Sequence, residues 1–438
     1  MKPFYFIRPE IKVALTALFL PALFLLPATA RADTLRMMHY NLMYYTTSTP
    51  SDCDGTGSYL DEKDAGLRQI VRYVKPDVFC VNEIGSQQVY IDRFLNNVLN
   101  YEDISYYRSC PLTNYSGGAI ANMLYYDERK LKFHSHFYIS TSYRDINGYK
   151  LYYNSVDLAA GDTVFITFIL AHLKAGSGYV NEAARLQQVQ KLISKLVQIG
   201  NADNYVFSGD FNLYGASESA YQYLIHNENS LFQFYDPLDQ EGEWNNNSRY
   251  ASIHTQSTHT TSSSGECYSS GGMDDRFDFI LVSPYIFYGS KRVTSINESY
   301  HALGQDGQRF NRSIVNPPNT LIPQDIANAL YIASDHLPVI MDLYIGATVG
   351  IDPIADPYSV NMVNPVRSDR LELYFNLLKE ESLDFGLYSA EGKLLERFAE
   401  ELPVGNSKIE RSFTYPNGVY FLIISDKKGY RMARKIVR

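Results

Sequence analysis

Between residues 35 and 345 the chain alternates short apolar runs with stretches of helical periodicity, and run after run ends or begins on a side chain that carries chemistry. Tyr40-Asn41 closes the first run and Val81-Asn82-Glu83 the second. Ala171-His172 ends the longest, Gly209-Asp210-Phe211-Asn212 follows the next, Arg276-Phe277-Asp278 opens another, and Ser334-Asp335-His336 opens the last. Short apolar runs bounded by turn residues read as strands, and apolar residues recurring every three to four positions read as helices. The two mixed through one segment imply a layered α/β architecture.

The periodicities place strands at 35–42, 77–84, 120–126, 131–139, 151–158, 163–173, 205–209, 277–282 and 336–345. Helices are expected at 64–74, where Leu67, Ile70, Val71 and Val74 share a face, and at 91–99. A third is expected at 181–197, where Leu186, Val189, Leu192, Ile193, Leu196 and Val197 form one stripe. The run 163–173 is almost continuously apolar and β-branched, as a strand covered on both faces is. Residues 239–272 are rich in Ser, Thr, Asn, Gly and Glu, and read as a long solvated loop that includes His254 and His259. The polar positions between 105 and 125, Arg108, Tyr115 and Asn122 among them, are read the same way.

Gly346, Gly350, Pro353 and Pro357 mark a linker over 346–358. Beyond it, apolar runs at 371–375, 385–388 and 419–424 without a strong helix predict a small all-β sandwich over 359–438, whose end, 427–438, has basic residues and no acidic ones. A chain of 438 residues has room for one large unit and this smaller one.

At the other terminus, Lys2, Arg8 and Lys12 precede the apolar run 13–26, and the small residues Ala28, Ala30 and Ala32 follow, which is the pattern of a signal peptide over 1–32. The run is shorter than the ~20 residues of a membrane span and is interrupted by Pro21, so an exported chain with no transmembrane segment is expected. Cys80 lies in an apolar run and reads as a buried thiol. Cys53, Cys110 and Cys267 lie in polar surroundings, with Cys53–Cys110 the favoured pair if a disulfide forms, and none has zinc-ligand spacing. The net charge of −9 argues against a protein that grips nucleic acid by charge alone. It argues less against an enzyme, because a bound divalent cation supplies positive field where a phosphate sits. Tyr is abundant, at 37 residues against one Trp, and its apolar body and polar tip suit stacking sites.

Carboxylates, amides and imidazoles at strand ends can converge on one rim. Oxygen donors are what Mg²⁺ requires, and imidazoles suit work on a phosphoryl group. Taken singly, Glu83 is a loop residue, His172 a hydrogen-bonded core histidine and Asn41 a turn residue; the ordered set is what is specific. The set His39-Tyr40-Asn41, 76–83, Ala171-His172, 208–212, 278–282 and 334–339 resembles the endonuclease/exonuclease/phosphatase superfamily, typified by deoxyribonuclease I, apurinic endonucleases, neutral sphingomyelinases and inositol polyphosphate phosphatases. The resemblance spans the unit 33–345 and implies a four-layer α-β-β-α sandwich, deoxyribonuclease I-like, with its site at one end. It also implies that Asn41, Glu83 and Asp335 hold Mg²⁺, with Mn²⁺ or Ca²⁺ as alternatives. Asp210 would orient or deprotonate the attacking water, with Asn212 beside it contacting phosphate. His336 would pair with Asp278, and His172 would donate to a non-bridging oxygen.

The segment 359–438 is similar to the type A sorting domain of the type IX secretion system, through Asn364-Pro365, 387–393, Pro416-Asn417-Gly418-Val419-Tyr420 and the basic end 434–438. The joint expectation is a secreted or cell-surface, monomeric, metal-dependent phosphodiesterase that hydrolyses DNA or RNA and meets the type IX machinery through its C-terminal segment. A sphingomyelinase-like or other small phosphate-ester hydrolase is the alternative within the enzyme class. A catalytically silent surface-binding protein on the same fold is the alternative outside it.

Overall fold

The computed structural model describes residues 33–46, 58–155, 158, 163–200, 202–227, 229–261, 268–346, 358–362, 366, 369–377, 380–390, 392–426 and 431–438. The signal-peptide segment, Cys53, Cys267, nearly all of the linker and Asn364-Pro365 therefore lie outside the described residues.

Two sheets form the large unit. One takes β1 (Asp33–Tyr45), β2 (Val78–Gly85), β3 (Tyr107–Ser109), β4 (Ile120–Asp127), β10 (Val293–Ala302) and β11 (Val339–Ile345), in the order β10-β11-β1-β2-β4-β3. The other runs β5 (Leu131–Ile139), β6 (Ile146–Tyr153), β7 (Phe165–His172), β8 (Tyr205–Asp210), β9 (Asp278–Val282). Strand alternation separates the faces of this second sheet. Ile166, Phe168, Leu170, Val206, Ile280 and Val282 pack toward the first sheet. Ile169, Ala171, Tyr205, Phe207, Phe279 and Leu281 pack with α3 (Tyr179–Ile199) and α4 (Ser219–Ile225). On the outer face of the first sheet lie α1 (Ser58–Val74), α2 (Gln88–Phe94) and α6 (Gln324–Ala333), with the short α5 (Pro284–Phe287) before β10. The result is the expected four-layer α-β-β-α sandwich.

The C-terminal segment is all-β, as expected. One antiparallel sheet is β12 (Tyr358–Met362), β13 (Arg370–Leu377) and β16 (Gly405–Ser412). The other runs β15 (Leu394–Leu402), β14 (Glu381–Ser389), β17 (Val419–Asp426), β18 (Arg431–Val437), and the two share a core that includes Leu373, Phe385, Leu422 and Ile436.

Several local expectations are corrected. The strand placed at 151–158 is Ile146–Tyr153, the return arm of a hairpin pairing Ile139 with Ile146 and Leu131 with Tyr153. Gly148 belongs inside that run: a Cβ at this position would stand 2.2 Å from the Phe137 ring across the hairpin. Val197 leaves the α3 stripe and is exposed. The described part of 239–272 is not a solvated loop, since Trp244, His254, Thr255, Thr258 and His259 are buried. His254 meets the Trp244 carbonyl, and the His259 ring is stacked against Tyr268 and Tyr331. Asn122 lies buried in β4 rather than in a solvated loop. Cys80 is the expected buried thiol, but Cys110 is also a buried free thiol rather than a disulfide partner.

Candidate active site

β1 and β2 run parallel and end together, as do β7 and β8; β9 and β11 run antiparallel to their neighbours and therefore begin at the same rim. In register, His172 stands beside Asp210 and Asp210 beside Asp278. This topology gathers Asn41, Glu83, His172, Asp210, Asp278, Asp335 and His336 at one end of the sandwich.

Two backbone features aim these side chains. Strict alternation would send Glu83 away from Asn82, but Glu83 adopts φ +57° where the pairing of β2 with β4 slips between Val81 and Ile84. For a non-glycine residue that conformation costs on the order of 1 kcal/mol. It brings the carboxylate to Asn41 Nδ2 (3.1 Å to Oε1) and to the Tyr44 amide (3.0 Å to Oε2). Gly209 precedes Asp210 with φ +154°, and a Cβ there would stand 1.8 Å from the Ala171 carbonyl oxygen. Asn212, at φ +51°, turns the chain so that its amide donates to Asp210 Oδ1 at 3.0 Å. Phe211 between them is anchored by stacking on Phe207 and Phe279.

The side chains form a dense net. Asn41 Nδ2 donates to Asp210 Oδ2 at 2.9 Å and lies 3.4 Å from His336 Nε2. His172 Nε2 is 3.5 Å from Asp210 Oδ2, and its Nδ1 is 3.7 Å from Glu83 Oε1. His336 Nδ1 lies 2.7 Å from Asp278 Oδ2, while its Nε2 faces Asp210 Oδ2 at 3.8 Å. Asp335 stands one step outside: its Oδ2 accepts from Gln256 Nε2 at 3.2 Å and from the Ser269 amide at 2.9 Å.

Burial and neighbours divide the protonation states. Burial, reinforced by the Asp278 and Glu83 carboxylates and opposed by His336, pushes Asp210 up to about 7. Burial also raises Glu83. His336 moves well above the ordinary imidazole range, because the Asp278 and Asp210 carboxylates outweigh its desolvation, and it is held as an imidazolium. His172 goes the other way, lowered by burial and by the nearby Arg144 and His336 cations, and is neutral. Two imidazoles in one cluster thus carry opposite states, a division suited to acid–base chemistry.

Three side chains at the site and one arrangement behind it escaped sequence reasoning. Arg144, in the β5–β6 turn, reaches the carbonyls of His172 and Leu173 (both 3.1 Å) and lies in the field of Glu83 and Asp210. Lys63 of α1 is buried, donates to the Met43 carbonyl at 2.8 Å, and is lowered to about 7 by burial despite Asp335 and Glu83. Gln256 lies 2.7 Å from His336 Nε2. Behind Asp210 a row of buried amides crosses between the sheets. The His39 ring meets Asn82 Oδ1 (2.8 Å), which also accepts from the Asp210 amide. Asn82 donates to Asn122 (2.7 Å), Asn122 to Asn147 (3.0 Å), and Asn147 to Thr113 Oγ1 (2.7 Å). Arg108, by contrast, pairs with Glu128, and Tyr115 stacks on Tyr138, so neither joins this net.

The donor set fits a hard divalent cation. Glu83, His172 and Asp210 each offer one ligand atom, all within 4.8 Å of one another, and His172 Nδ1 is buried with no hydrogen-bond partner. Of the three ligands implied by resemblance, Glu83 belongs to this group. Asn41 presents its amide nitrogen to the Glu83 and Asp210 carboxylates; to offer Oδ1 it must turn over and release the Met43 amide. Asp335 lies outside the group, held by Gln256 and Ser269.

No family model and no curated protein matches the sequence. Solved structures do. The human Nocturnin catalytic domain with bound sulfate aligns at 14% identity over 72% of this chain and 98% of its own, with a TM-score of 0.43. An endonuclease/exonuclease/phosphatase protein from Beutenbergia cavernae aligns at 16% over 93% and 100%, with a TM-score of 0.40. D. rerio TDP2 complexed with single strand DNA product aligns at 16% over 71% and 99%, with a TM-score of 0.41. At such identities and scores the chemistry of this chain has to be read from its own side chains.

Proposed function

We propose that this chain is a metal-dependent phosphodiesterase whose substrate is nucleic acid. One observation carries the reading: the ends of strands from both sheets bring a carboxylate raised toward neutrality, a neutral imidazole and an imidazolium into one buried cluster with oxygen donors for a cation. Asp210 is placed to orient and deprotonate water, and its raised pKa suits a base working near neutral pH. His172 carries a proton to share with a non-bridging oxygen. His336, fixed by Asp278, offers positive charge where the leaving oxygen develops negative charge. Asn212 would contact phosphate, with Arg144 held on the carbonyls of His172 and Leu173 behind it. Asn41, Glu83 and Asp335 would hold Mg²⁺, or Mn²⁺ or Ca²⁺ in its place, with His172 and Asp210 nearby. When bound, the ion neutralises charge on the phosphoryl oxygens.

We further propose that the chain is exported, with 1–32 as signal peptide and 359–438 as a type IX sorting domain. Support comes from the sequence pattern and from the all-β form of the C-terminal segment. Deleting 356–438 should retain an active enzyme in the cell envelope; normal release of the truncated chain overturns the sorting assignment.

The deciding experiment incubates purified protein and Mg²⁺ with plasmid, RNA, sphingomyelin and bis-p-nitrophenyl phosphate in parallel. Cleavage of plasmid or RNA supports the nuclease reading. Cleavage of sphingomyelin alone replaces it with the lipid reading, and no cleavage of any substrate leaves a binding protein.

A further inference from the structure

At the edge of the second sheet, between β5 and α3, lies a groove that the proposed chemistry does not use. Its volume is about 460 Å³, and Tyr138, Gln187, Gln190, Lys191, Ser194 and Lys195 are among its lining residues. Among the described residues no acidic side chain lines it, in a chain whose net charge is −9. Tyr138 also belongs to a second feature. Its ring is stacked at 3.9 Å and 11° on Tyr115, and Tyr115 is 65% exposed.

The stack is built rather than incidental. The Tyr115 and Ser116 amides and the Ser116 hydroxyl all donate to the buried Asp145 carboxylate, and Ser116 also reaches the Thr141 carbonyl. Asp145 follows Arg144, whose guanidinium holds the carbonyls of His172 and Leu173. Lys174, two residues past His172, stands 5.6 Å over the Tyr143 ring. One short turn therefore connects the site, a basic and aromatic step, the tyrosine stack and the groove.

We infer that this path binds the unpaired strand of a single-stranded nucleic acid: a base extends the Tyr115–Tyr138 stack, and Lys191 and Lys195 take the phosphates that follow. A duplex keeps its base faces stacked internally and has none to offer Tyr115, so the path selects single strands. The glutamines offer both donors and acceptors and tolerate any base edge. The inference rests on the phosphodiesterase reading only for the direction in which the strand runs, toward Arg144.

The test is fluorescence anisotropy of the purified full chain with a labelled single-stranded oligonucleotide, and with the duplex of the same sequence, in EDTA so that neither is cut. Tyr115→Ala should weaken single-strand binding about tenfold and leave duplex binding unchanged, while Tyr115→Phe retains affinity. Lys191→Gln with Lys195→Gln should reduce the salt slope of log K by about 1.4. Tyr344→Ala, an exposed tyrosine on β11, serves as control, and melting curves confirm folding. Wild-type affinity and salt slope in both variants overturn the inference. If the protein cleaves bis-p-nitrophenyl phosphate but does not bind the oligonucleotide, the groove assignment falls and the enzyme reading stands. Tyr115-dependent binding without cleavage of any diester gives the reverse.

Discussion

His39 Nδ1 lies 2.9 Å from Ser208 Oγ, a buried hydrogen bond that joins the first strand of one sheet to the strand bearing Asp210 in the other. Burial drops His39 to about 4, so it is neutral in the fold while an unfolded histidine titrates near 6.5. Between those values the unfolded chain takes up a proton that the folded chain does not. Stability from this residue is therefore complete above about pH 6.5 and is lost as pH falls toward 4, by about 3 kcal/mol. His39→Gln should be less stable than wild type at pH 7.5, with the gap narrowing as pH falls through that window. Melting temperatures across pH 4 to 8 check this, and a constant gap contradicts it.

Asp210→Asn keeps volume and removes the proposed base. Turnover on a cleavable diester should fall roughly 100- to 10,000-fold with folding retained. His336→Ala should lose a comparable amount, and the double variant less than the product of the two, because groups serving one transition state act as a unit. Asp203, at the far end of β8, is partly exposed and pairs with Lys150 and Lys291, so Asp203→Asn should keep near wild-type kcat. A folded Asp210→Asn with normal kcat removes this residue from the chemistry.

Chelation should abolish hydrolysis, and Mg²⁺ or Mn²⁺ should restore it, as an oxygen-rich donor set requires. Glu83→Gln should raise the Mg²⁺ concentration for half-maximal activity at least about tenfold. Full activity in excess EDTA rules the metal out.

Gly209→Ala places a methyl against the Ala171 carbonyl within the β7–β8 pairing, where backbone cannot yield. It should cost about 4 kcal/mol or more in urea denaturation. Gly178→Ala, also at positive φ but with nothing within 4 Å, should cost less, about 1 to 3 kcal/mol from backbone strain alone.

The strand-end residues were legible because each closes or opens an apolar run, and parallel strands that end together leave only one place for them to meet. The clearest helix, α3, was legible from its stripe. Arg144 was not: with the sixth strand read at 151–158, the turn that carries Arg144 had no place in the architecture. Lys63 sits in Asp61-Glu62-Lys63-Asp64, which on sequence alone is a solvated helix start, and only the approach of α1 to Met43 buries it. The 239–272 segment misled through composition. Its Ser, Thr and Asn side chains are polar toward water in a loop, but here Thr255 and Thr258 serve as internal hydrogen-bond partners: Thr255 Oγ1 accepts from the Phe277 and Asp278 amides, and Thr258 donates to the Ser334 carbonyl.

The row of amides from Asn82 through Asn122 and Asn147 to Thr113 has one more consequence. An imidazole or a water passes a proton along by accepting on one side and releasing on the other, whereas a carboxamide can only hold its orientation. The interior behind Asp210 is thus electrically polarised but proton-tight on this side. If Asp210 takes a proton from water as proposed, the row from Asn82 to Thr113 would offer that proton no exit.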